Sequence, residues 1–466
     1  MAGELTDLEL SELVELLRDL IRIKSVNPPG DEIIGARFLE KVFAEEGIEA
    51  TVVEPYPGRG SIVARVRGDG TGGDPLLLLS HLDVVPADPA GWSHDPFAGD
   101  LADGYVWGRG AVDMKGMVAM EAQVMRRLAR KARSAGLDPA TDPIPGLRRD
   151  VVFCSTADEE AGGSQGIRWI VDNHPEWLRA AGALNEAGGI STTYAGVRFY
   201  PIQVAEKGHV VYKLHVKGRS GHGSVPTPDN AAVLAARIVA RLAEPGPVRL
   251  TESMVVLLER AIPHLPAAAA KAARALEPAR AAADPDRAEA TLRDLCDPVL
   301  ARTLSAMIHD TISVGILQAG VKYNVIPGAA EIEIDCRTVP GTDEPAMRVE
   351  LKRRIGDELW ARIDVECVHI GASVEAPLDS RLYRLLEEVV VEHDPDGVPV
   401  PYLAPFATDA KQLTGIGVQP YGFSPLKAEN RDGLLALMHG DDERVSVEAL
   451  RFGLPTLWDV VERFCS

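Results

Sequence analysis

Four consecutive leucines at 76–79 run directly into Ser80, His81, Leu82 and Asp83. An apolar run of this kind, opened by Pro75 and closed by polar residues, reads as a buried strand. His81 and Asp83 are two residues apart, so on an extended chain they face the same side. A histidine at a strand end, with a carboxylate near enough to orient its ring, is a common way of holding zinc. An H-x-D pair alone is weak, because many such pairs are satisfied structural residues. The rest of the chain decides whether this one is different.

Further along, Gly108-Arg109-Gly110 leads to Asp113, an acid in a tight glycine-rich turn. Residues 150–157, DVVFCSTA, form a second strand-like run that ends in Asp158, Glu159 and Glu160 and then Gly162 and Gly163. Three adjacent acids repel one another, and a bound cation offsets that directly; the bland alternative is a solvated acidic turn. GALNEAGG places Glu186 after a short apolar stretch, and ALMHGDDERVS places His439 before a turn. His81, Asp113, Glu160, Glu186 and His439 thus sit at the edges of predicted elements. A mixed N/O set of this kind suits zinc or a similar borderline metal.

With these residues in place the chain resembles the metallopeptidase family of aminoacylase-1, carboxypeptidase S, acetylornithine deacetylase and succinyl-diaminopimelate desuccinylase, metallopeptidase family 20. The matching pieces are HLDVVP from His81, GRGAVDMKG from Gly108, TADEEAGG from Thr156, NEAGG from Asn185, GRSGHGS from Gly218, NVIPG from Asn324, DCRTVPG from Asp335, GFSP from Gly422 and MHGDDERV from Met438. They occur in family order and cover nearly the whole chain. The resemblance implies an α/β fold: a split dizinc-peptidase catalytic domain, with a mixed sheet flanked by helices, carrying an inserted α+β ferredoxin-like lid or dimerisation domain. It implies two Zn2+ ions, with Co2+ or Mn2+ able to use the same ligands. Asp113 would bridge them, His81 and Glu186 completing one site and Glu160 and His439 the other. Glu159 would be the general base, Asp83 would hold His81 in its ligating tautomer, and His222 would stabilise an oxyanion, often from a partner subunit. Asn324 and Arg337 would hold the substrate's free carboxylate, a task that suits the planar fork of arginine. For Arg337 the plain alternative is a surface salt bridge.

Composition agrees with a water-soluble enzyme. The chain has 466 residues, enough for two or three domains. Its net charge of −20 argues against nucleic-acid and anionic-membrane partners. No apolar run approaches the roughly 20 residues of a membrane span. The first 24 residues are amphipathic and acidic, unlike a signal peptide. Thr6 and Glu9 form a capping box, and Leu10, Leu13, Leu17, Leu20 and Ile21 form a buried stripe. The five cysteines, at 154, 296, 336, 367 and 465, are scattered without a CxxC pair. They read as reduced thiols in a cytoplasmic protein, with Cys154 and Cys336 inside strands.

The organisation expected is a catalytic domain in two parts, 1–206 and 373–466, with a lid or dimerisation domain at 207–372. Helices are expected at 6–23, 31–47, 114–132 and 164–173, and strands at 48–54, 61–67, 75–81 and 150–157. The lid begins with the alternating strand HVVYKLHVKG and the helix AAVLAARIVARLA. Strands TISVGILQAG, AAEIEIDCRTV and DVECVHIG follow, with a helix at 343–358. Between them, 251–310 is Ala-rich and reads as ordered helices, like the insertion of the carboxypeptidase S branch. The last part holds a helix at 378–393, a strand at 414–421 and a helix at 446–463.

The function implied is hydrolysis of an amide or peptide bond next to a free α-carboxylate, on a small N-acyl amino acid or peptide, by a homodimeric carboxypeptidase or N-acyl-amino-acid hydrolase. Two alternatives stand beside it. Residues 162–166 match the G-x-S-x-G elbow of a serine hydrolase, with Ser164 as nucleophile, but that leaves the acids unexplained. A non-catalytic binding protein on the same fold would have no need of Glu159 beside a full ligand set. His94, His174, His209, His215 and His309 are expected to be structural, and Met114, Met117 and Met120 to be core.

Overall fold

The N-terminal stripe of leucines becomes helix α1 (Asp7–Arg22) in the computed structural model, which describes residues 5–244, 246–277, 290–294, 298–428 and 437–466. Thr6 caps it by accepting from the Glu9 N–H, while the Glu9 carboxylate accepts from the Thr6 N–H. Leu10, Leu13, Leu17, Leu20 and Ile21 are buried. The chain divides into two units. The first is Met1–Val204, Ala376–Pro401 and Thr408–Ser466; the second is Ala205–Glu375 and Tyr402–Ala407.

The first unit is built on a mixed sheet. Its strands are β1 (Ala50–Tyr56), β2 (Arg59–Val66), β3 (Leu76–His81), β6 (Val151–Thr156), β7 (Gly182–Asn185), β9 (Val197–Glu206) and β18 (Pro420–Gly422), in the order β1-β2-β6-β3-β7-β18-β9. β8 (Thr192–Tyr194) and β17 (Gly397–Ala404) also pair with β9. β6, β3, β7 and β18 are mutually parallel, whereas β1 and β2 are antiparallel to their neighbours. Helices cover both faces, which is why the leucines at 76–79 need no alternation. Leu77 and Leu79 pack with Val152 and Cys154 against Ile167 and Ile170 of α4 (Ile167–Asn173). By alternation Leu76 and Leu78 face the other way, where α3 (Lys115–Ser134) packs against β3, α1 and the C-terminal helix Val447–Cys465. Met114, Met117 and Met120 are fully buried there. α2 (Glu32–Glu45) packs on β1 and β2. A small antiparallel sheet of β4 (Asp100–Ala102), β5 (Tyr105–Trp107) and β19 (Arg444–Ser446) completes this unit.

The second unit holds an antiparallel sheet of β10 (Gly208–Lys217), β12 (Thr311–Ala319), β14 (Ala329–Thr338) and β15 (Ile363–Gly371), in the order β12-β14-β10-β15. With α5 (Ala231–Leu242) after β10 and the helix Glu344–Ile355 before β15, this is the split βαβ arrangement of ferredoxin-like folds. Val210, Tyr212, Leu214, Ile332 and Ile334 face Leu234, Ile238, Met347 and Leu351 to form its core. β11 (Gly221–His222) pairs with β13 (Val325–Ile326), and β16 (Val374–Glu375) with the last two residues of β9. Within 251–310 the chain forms α6 (Glu252–Ala261), α7 (Ala267–Ala273) and a helix over Pro298–Ile308. The Ala-rich stretch at 278–289 and Cys296 lie outside the described residues. Cys154 and Cys336 are buried in β6 and β14 as free thiols.

Two expectations are corrected and one further strand appears. The strand expected at 414–421 is a 3-10 turn, Thr414–Ile416, followed by the short β18, because Gly417 takes a left-handed φ of 80° that breaks an extended run. β17, which carries Pro399 and Pro401, was not among the expected strands. It survives because it pairs beside β9 rather than inside the main strand order, where missing N–H groups would break a ladder. The helix expected at 343–358 stops at Ile355, where Gly356 at φ 79° ends it and a separate turn, Asp357–Trp360, begins.

Candidate metal centre

Three parallel strands end side by side and deliver most of the site. His81 closes β3, in register with Thr156 of β6, and Leu78 of β3 aligns with Leu184 of β7. The residues just past β6 and β7 are therefore brought beside His81: the 3-10 turn Glu159–Ala161 and Glu186. Sites beyond the carboxyl ends of parallel strands are the rule in open α/β sheets. Asp113 comes from the loop between β5 and α3. His439 comes from the turn before β19, and β19 pairs with β5, so these two segments are neighbours as well.

The donor atoms converge. His81 Nε2 lies 3.2 Å from Asp113 Oδ1 and 3.6 Å from Glu186 Oε2. His439 Nε2 lies 3.2 Å from Asp113 Oδ2 and 3.2 Å from Glu160 Oε2. Asp113 thus turns one oxygen to each histidine. Glu159 Oε2 stands farther off, 4.0 Å from His81 Nε2. His81, Glu159 and Glu186 can bring donors within 4.8 Å of one another, and so can His81, Asp113 and Glu160.

These positions fit a metal. Two ligands sharing one zinc at about 2.0–2.1 Å in a tetrahedral array stand about 3.3 Å apart, and the four separations above bracket that value. Glu160 Oε1 is buried without a hydrogen-bond partner, an arrangement a protein seldom keeps unless something else binds there.

The electrostatics agree. Burial works against a charged His81, yet Glu186, Asp113 and Asp83 outweigh it and hold the imidazole well above its ordinary value. Hydrogen bonds to Asp113 and Glu160 push His439 up to about 10. Burial raises Glu186 to about 7 and, reinforced by Glu186, also raises Glu159. Four carboxylates around two imidazoles form a charge set that divalent cations would neutralise.

Asp83 meets His81 Nδ1 twice: its backbone carbonyl accepts from the ring N–H at 3.0 Å, and its carboxylate stands 3.5 Å away. That carboxylate also accepts from the N–H groups of Glu159 at 3.1 Å and Glu160 at 3.0 Å. It anchors the turn that carries both glutamates. The acid run is also only partly a matter for a bound cation: Asp158 points inward and pairs with Arg59 at 3.1 Å.

Sequence reasoning missed the clamp on Asp113. Glu443 is fully buried and receives four donors: Arg109 Nη1 at 2.7 Å and the N–H groups of Gly110 at 3.0 Å, Val112 at 2.8 Å and Asp113 at 3.0 Å. It lies four residues after His439, so one short segment carries a donor and holds the loop of the shared acid. The Asp113–Met114 peptide is cis. His439, Asp158 and Ala187 all have left-handed φ values, 61°, 71° and 69°, costly for non-glycine residues and typical of loops held by their surroundings for a function. The only advance signal for Glu443 was an acid within a motif already singled out for its histidine. Asp409, another buried acid, accepts from the Thr156 hydroxyl at 2.6 Å, and burial raises it to about 8.

The three residues expected to meet the substrate belong to the second unit. His222 is exposed on β11; its Nδ1 accepts from the Ser224 N–H at 3.2 Å, so a neutral ring carries its proton on Nε2. Asn324 Oδ1 is buried without a partner, and the Asn324 carbonyl accepts from the Gly223 N–H. Arg337 pairs with Asp335 through Nε and Nη2. Ser164 gives no support to a serine nucleophile, because its hydroxyl bonds Asp158 at 3.2 Å rather than a histidine. His94 packs on Trp107, His174 stacks on Trp177 and His309 is buried, all structural settings.

The family model described as peptidase family M20/M25/M40 matches residues 77–463. The chain belongs to this family. Its members are hydrolases, and this chain is a metallopeptidase-type hydrolase with the family's mixed sheet flanked by helices. Among curated M20 relatives it is 26% identical to the N-fatty-acyl-amino acid synthase/hydrolase PM20D1 of Xenopus tropicalis, over 96% of this chain and 85% of that one. It is 27% identical to the aminoacylase-1 of Homo sapiens, over 93% and 90%. Among solved structures it resembles the M20 family metallo-carboxypeptidase Sso-CP2 from Sulfolobus solfataricus, with a TM-score of 0.67 and 18% identity over 98% and 99%. The Bacillus subtilis YXEP protein, a dinuclear metal-binding M20 peptidase, gives 0.60 and 13% over 99% of each. At these identities the solved structures establish the fold alone.

Proposed function

We propose that the chain is a two-metal amidohydrolase that cleaves an amide or peptide bond whose amine side carries a free α-carboxylate, as a carboxypeptidase or an N-acyl-amino-acid hydrolase. The observation that carries this reading is the shared carboxylate, with Asp113 Oδ1 on His81 and Oδ2 on His439, each at 3.2 Å. Divalent ions held there would polarise the scissile carbonyl and lower the pKa of the attacking water. Glu159 takes the water's proton and passes it to the leaving nitrogen; its burial favours a carboxyl able to hold that proton. Glu186 and Glu160 each complete one ion's ligand set.

Three residues of the second unit are assigned to the substrate on chemical grounds. His222 donates from Nε2–H to the tetrahedral oxyanion, and the Ser224 N–H fixes the tautomer this needs. Asn324 and Arg337 hold the free carboxylate. Zinc is the metal of first choice for this N/O donor set, with cobalt or manganese able to replace it. A homodimer joined through the second unit and a cytoplasmic setting complete the reading, supported by the motif resemblance and by the scattered free thiols.

The test is metal content with turnover on a panel of N-acyl amino acids and dipeptides. Chelation should abolish hydrolysis and zinc or cobalt restore it, while a serine-directed phosphonate has no effect. Glu159→Ala should keep both ions and lose about 100- to 10,000-fold in kcat, whereas Glu160→Ala should weaken one ion site. Full activity in excess chelator refutes the proposal. Equal turnover of free-acid and amidated substrates refutes the substrate class and the role given to Arg337.

A further inference from the structure

Residues 27–32, NPPGDE, carry none of the roles assigned so far, yet Asn27 donates to Asp83 and Glu32 accepts from the Asp158 N–H, both beside the candidate centre. Asn27 is 5% exposed. Its Nδ2 donates to Asp83 Oδ2 at 2.8 Å, and its Oδ1 accepts from Arg59 Nη2 at 2.8 Å. The same guanidinium, itself 6% exposed, bonds Glu32 Oε1 at 2.5 Å and pairs with Asp158 Oδ1 at 3.1 Å. Asp158 Oδ2 accepts in turn from the Gln165 N–H at 2.8 Å and the Ser164 hydroxyl at 3.2 Å. The backbone is shaped to admit Arg59: Gly30 sits at φ 115°, where a Cβ would collide with the guanidinium.

Two branches of this network end on the same turn. One runs from Arg59 through Asn27 to Asp83, whose two oxygens accept from the N–H groups of Glu159 and Glu160. The other runs from Arg59 to Asp158, the residue just before Glu159, whose left-handed φ of 71° has to be held by its contacts. A 3-10 turn of three residues has little rigidity of its own. Anchoring it from both sides fixes where the Glu159 carboxylate stands relative to Asp113 and His81.

We infer that Asn27 and Arg59 are positioning residues for the reaction, setting the place of Glu159 through Asp83 and Asp158 without touching substrate or metal. The inference rests on the role proposed for Glu159. A displacement of about 1 Å in a reacting group can cost on the order of 100-fold in rate, and Asn27→Ala removes the donor that holds Asp83 from below.

The test compares the unmutated holoenzyme with Asn27→Ala, with the isosteric Asn27→Asp in case the first folds poorly, and with Leu457→Ala as a control for general destabilisation. Leu457 is fully buried in the C-terminal helix, away from this network. Metal stoichiometry, thermal midpoint, kcat and KM are read for each. Expected for the Asn27 variants is a kcat lower by about 10- to 100-fold with both ions retained and KM within about twofold. Leu457→Ala should lower the midpoint and leave kcat per folded molecule unchanged. The inference is overturned if the Asn27 variants keep the unmutated kcat. It is equally overturned if they lose metal in step with activity, or if Leu457→Ala loses as much kcat. Metal-independent turnover by the unmutated enzyme would instead defeat the proposed function, so the two failures are separate.

Discussion

Replacing Glu443 by Gln should strike the site harder than its distance from any substrate suggests. Each carboxylate oxygen takes two donors: Oε1 those of Val112 and Asp113, Oε2 those of Arg109 and Gly110. Glutamine has one acceptor oxygen and one donor amide. Whichever way the amide turns, two buried donors face an N–H group instead of an oxygen. Each unsatisfied donor costs about 1–3 kcal/mol. Arg109, only 2% exposed, also loses its counter-charge, and breaking one partner of a buried pair costs about 3–5 kcal/mol. These terms overlap, so the expected loss is about 3–6 kcal/mol, a large share of the roughly 5–15 kcal/mol of an ordinary domain. The assay is denaturant unfolding of the metal-loaded protein, with metal affinity measured in parallel, since freeing the Asp113 N–H loosens the shared ligand. Arg109→Met combined with Glu443→Gln should cost less than the sum of the two singles, because both break the same pair. A loss below about 1 kcal/mol for Glu443→Gln, or strict additivity in the double variant, would show the clamp to be unimportant.

Glu121, fully buried on α3, is raised by burial to about 8, so between its ordinary value of 4.5 and 8 the folded state holds a proton that the unfolded state has released. Its contribution to stability is present below pH 4.5 and is lost as pH rises toward 8; Glu121→Gln should flatten the dependence of unfolding free energy on pH over that range by on the order of a few kcal/mol, and parallel pH profiles for the two proteins would refute this. Gly166→Ala should destabilise by about 3 kcal/mol or more, since its Cβ would overlap the Ala157 carbonyl oxygen just before the acidic turn, whereas Gly415→Ala, with nothing within 4 Å, should be neutral or gain up to about 1 kcal/mol; unfolding of both variants checks the contrast. Adding zinc at about 100 times its dissociation constant should stabilise the chelated protein by about 2.7 kcal/mol, and an unchanged melting temperature would contradict a metal centre in the folded state.

The residues gathered at the centre could be read from the chain because each sits where a local pattern stops. His81 ends a leucine run, the acids 158–160 end a second run, and Glu186 precedes glycines. Such endings are local, and the chain displays them without its fold. What holds these residues was hidden, because it acts between distant positions. Glu443 reaches back 330 residues to Asp113, and Arg59 joins Glu32 to Asp158 across the first unit. Nothing in the neighbourhood of an acid tells which backbone N–H groups it will receive. The same reason hid the second task of Asp83, whose carboxylate also receives the N–H groups of the 159–160 turn. In the fold, the further strand β17 carries Pro399 and Pro401 at a pairing position beside β9 that tolerates them.

The parallel strands β3, β6 and β7 also separate two kinds of heritable change. Within them, Leu76 to Leu79, Val152, Phe153 and Leu184 are fully or almost fully buried, and a substitution there alters how much folded protein a cell keeps. At the rim stand His81, Glu159, Glu160 and Glu186, and under the proposed function a substitution there alters what the folded protein does. Selection on abundance and selection on chemistry therefore fall on different residues only a few positions apart. A descendant gene can change its rim, and with it the rate or the bond it attacks, while the strands beneath stay as they are.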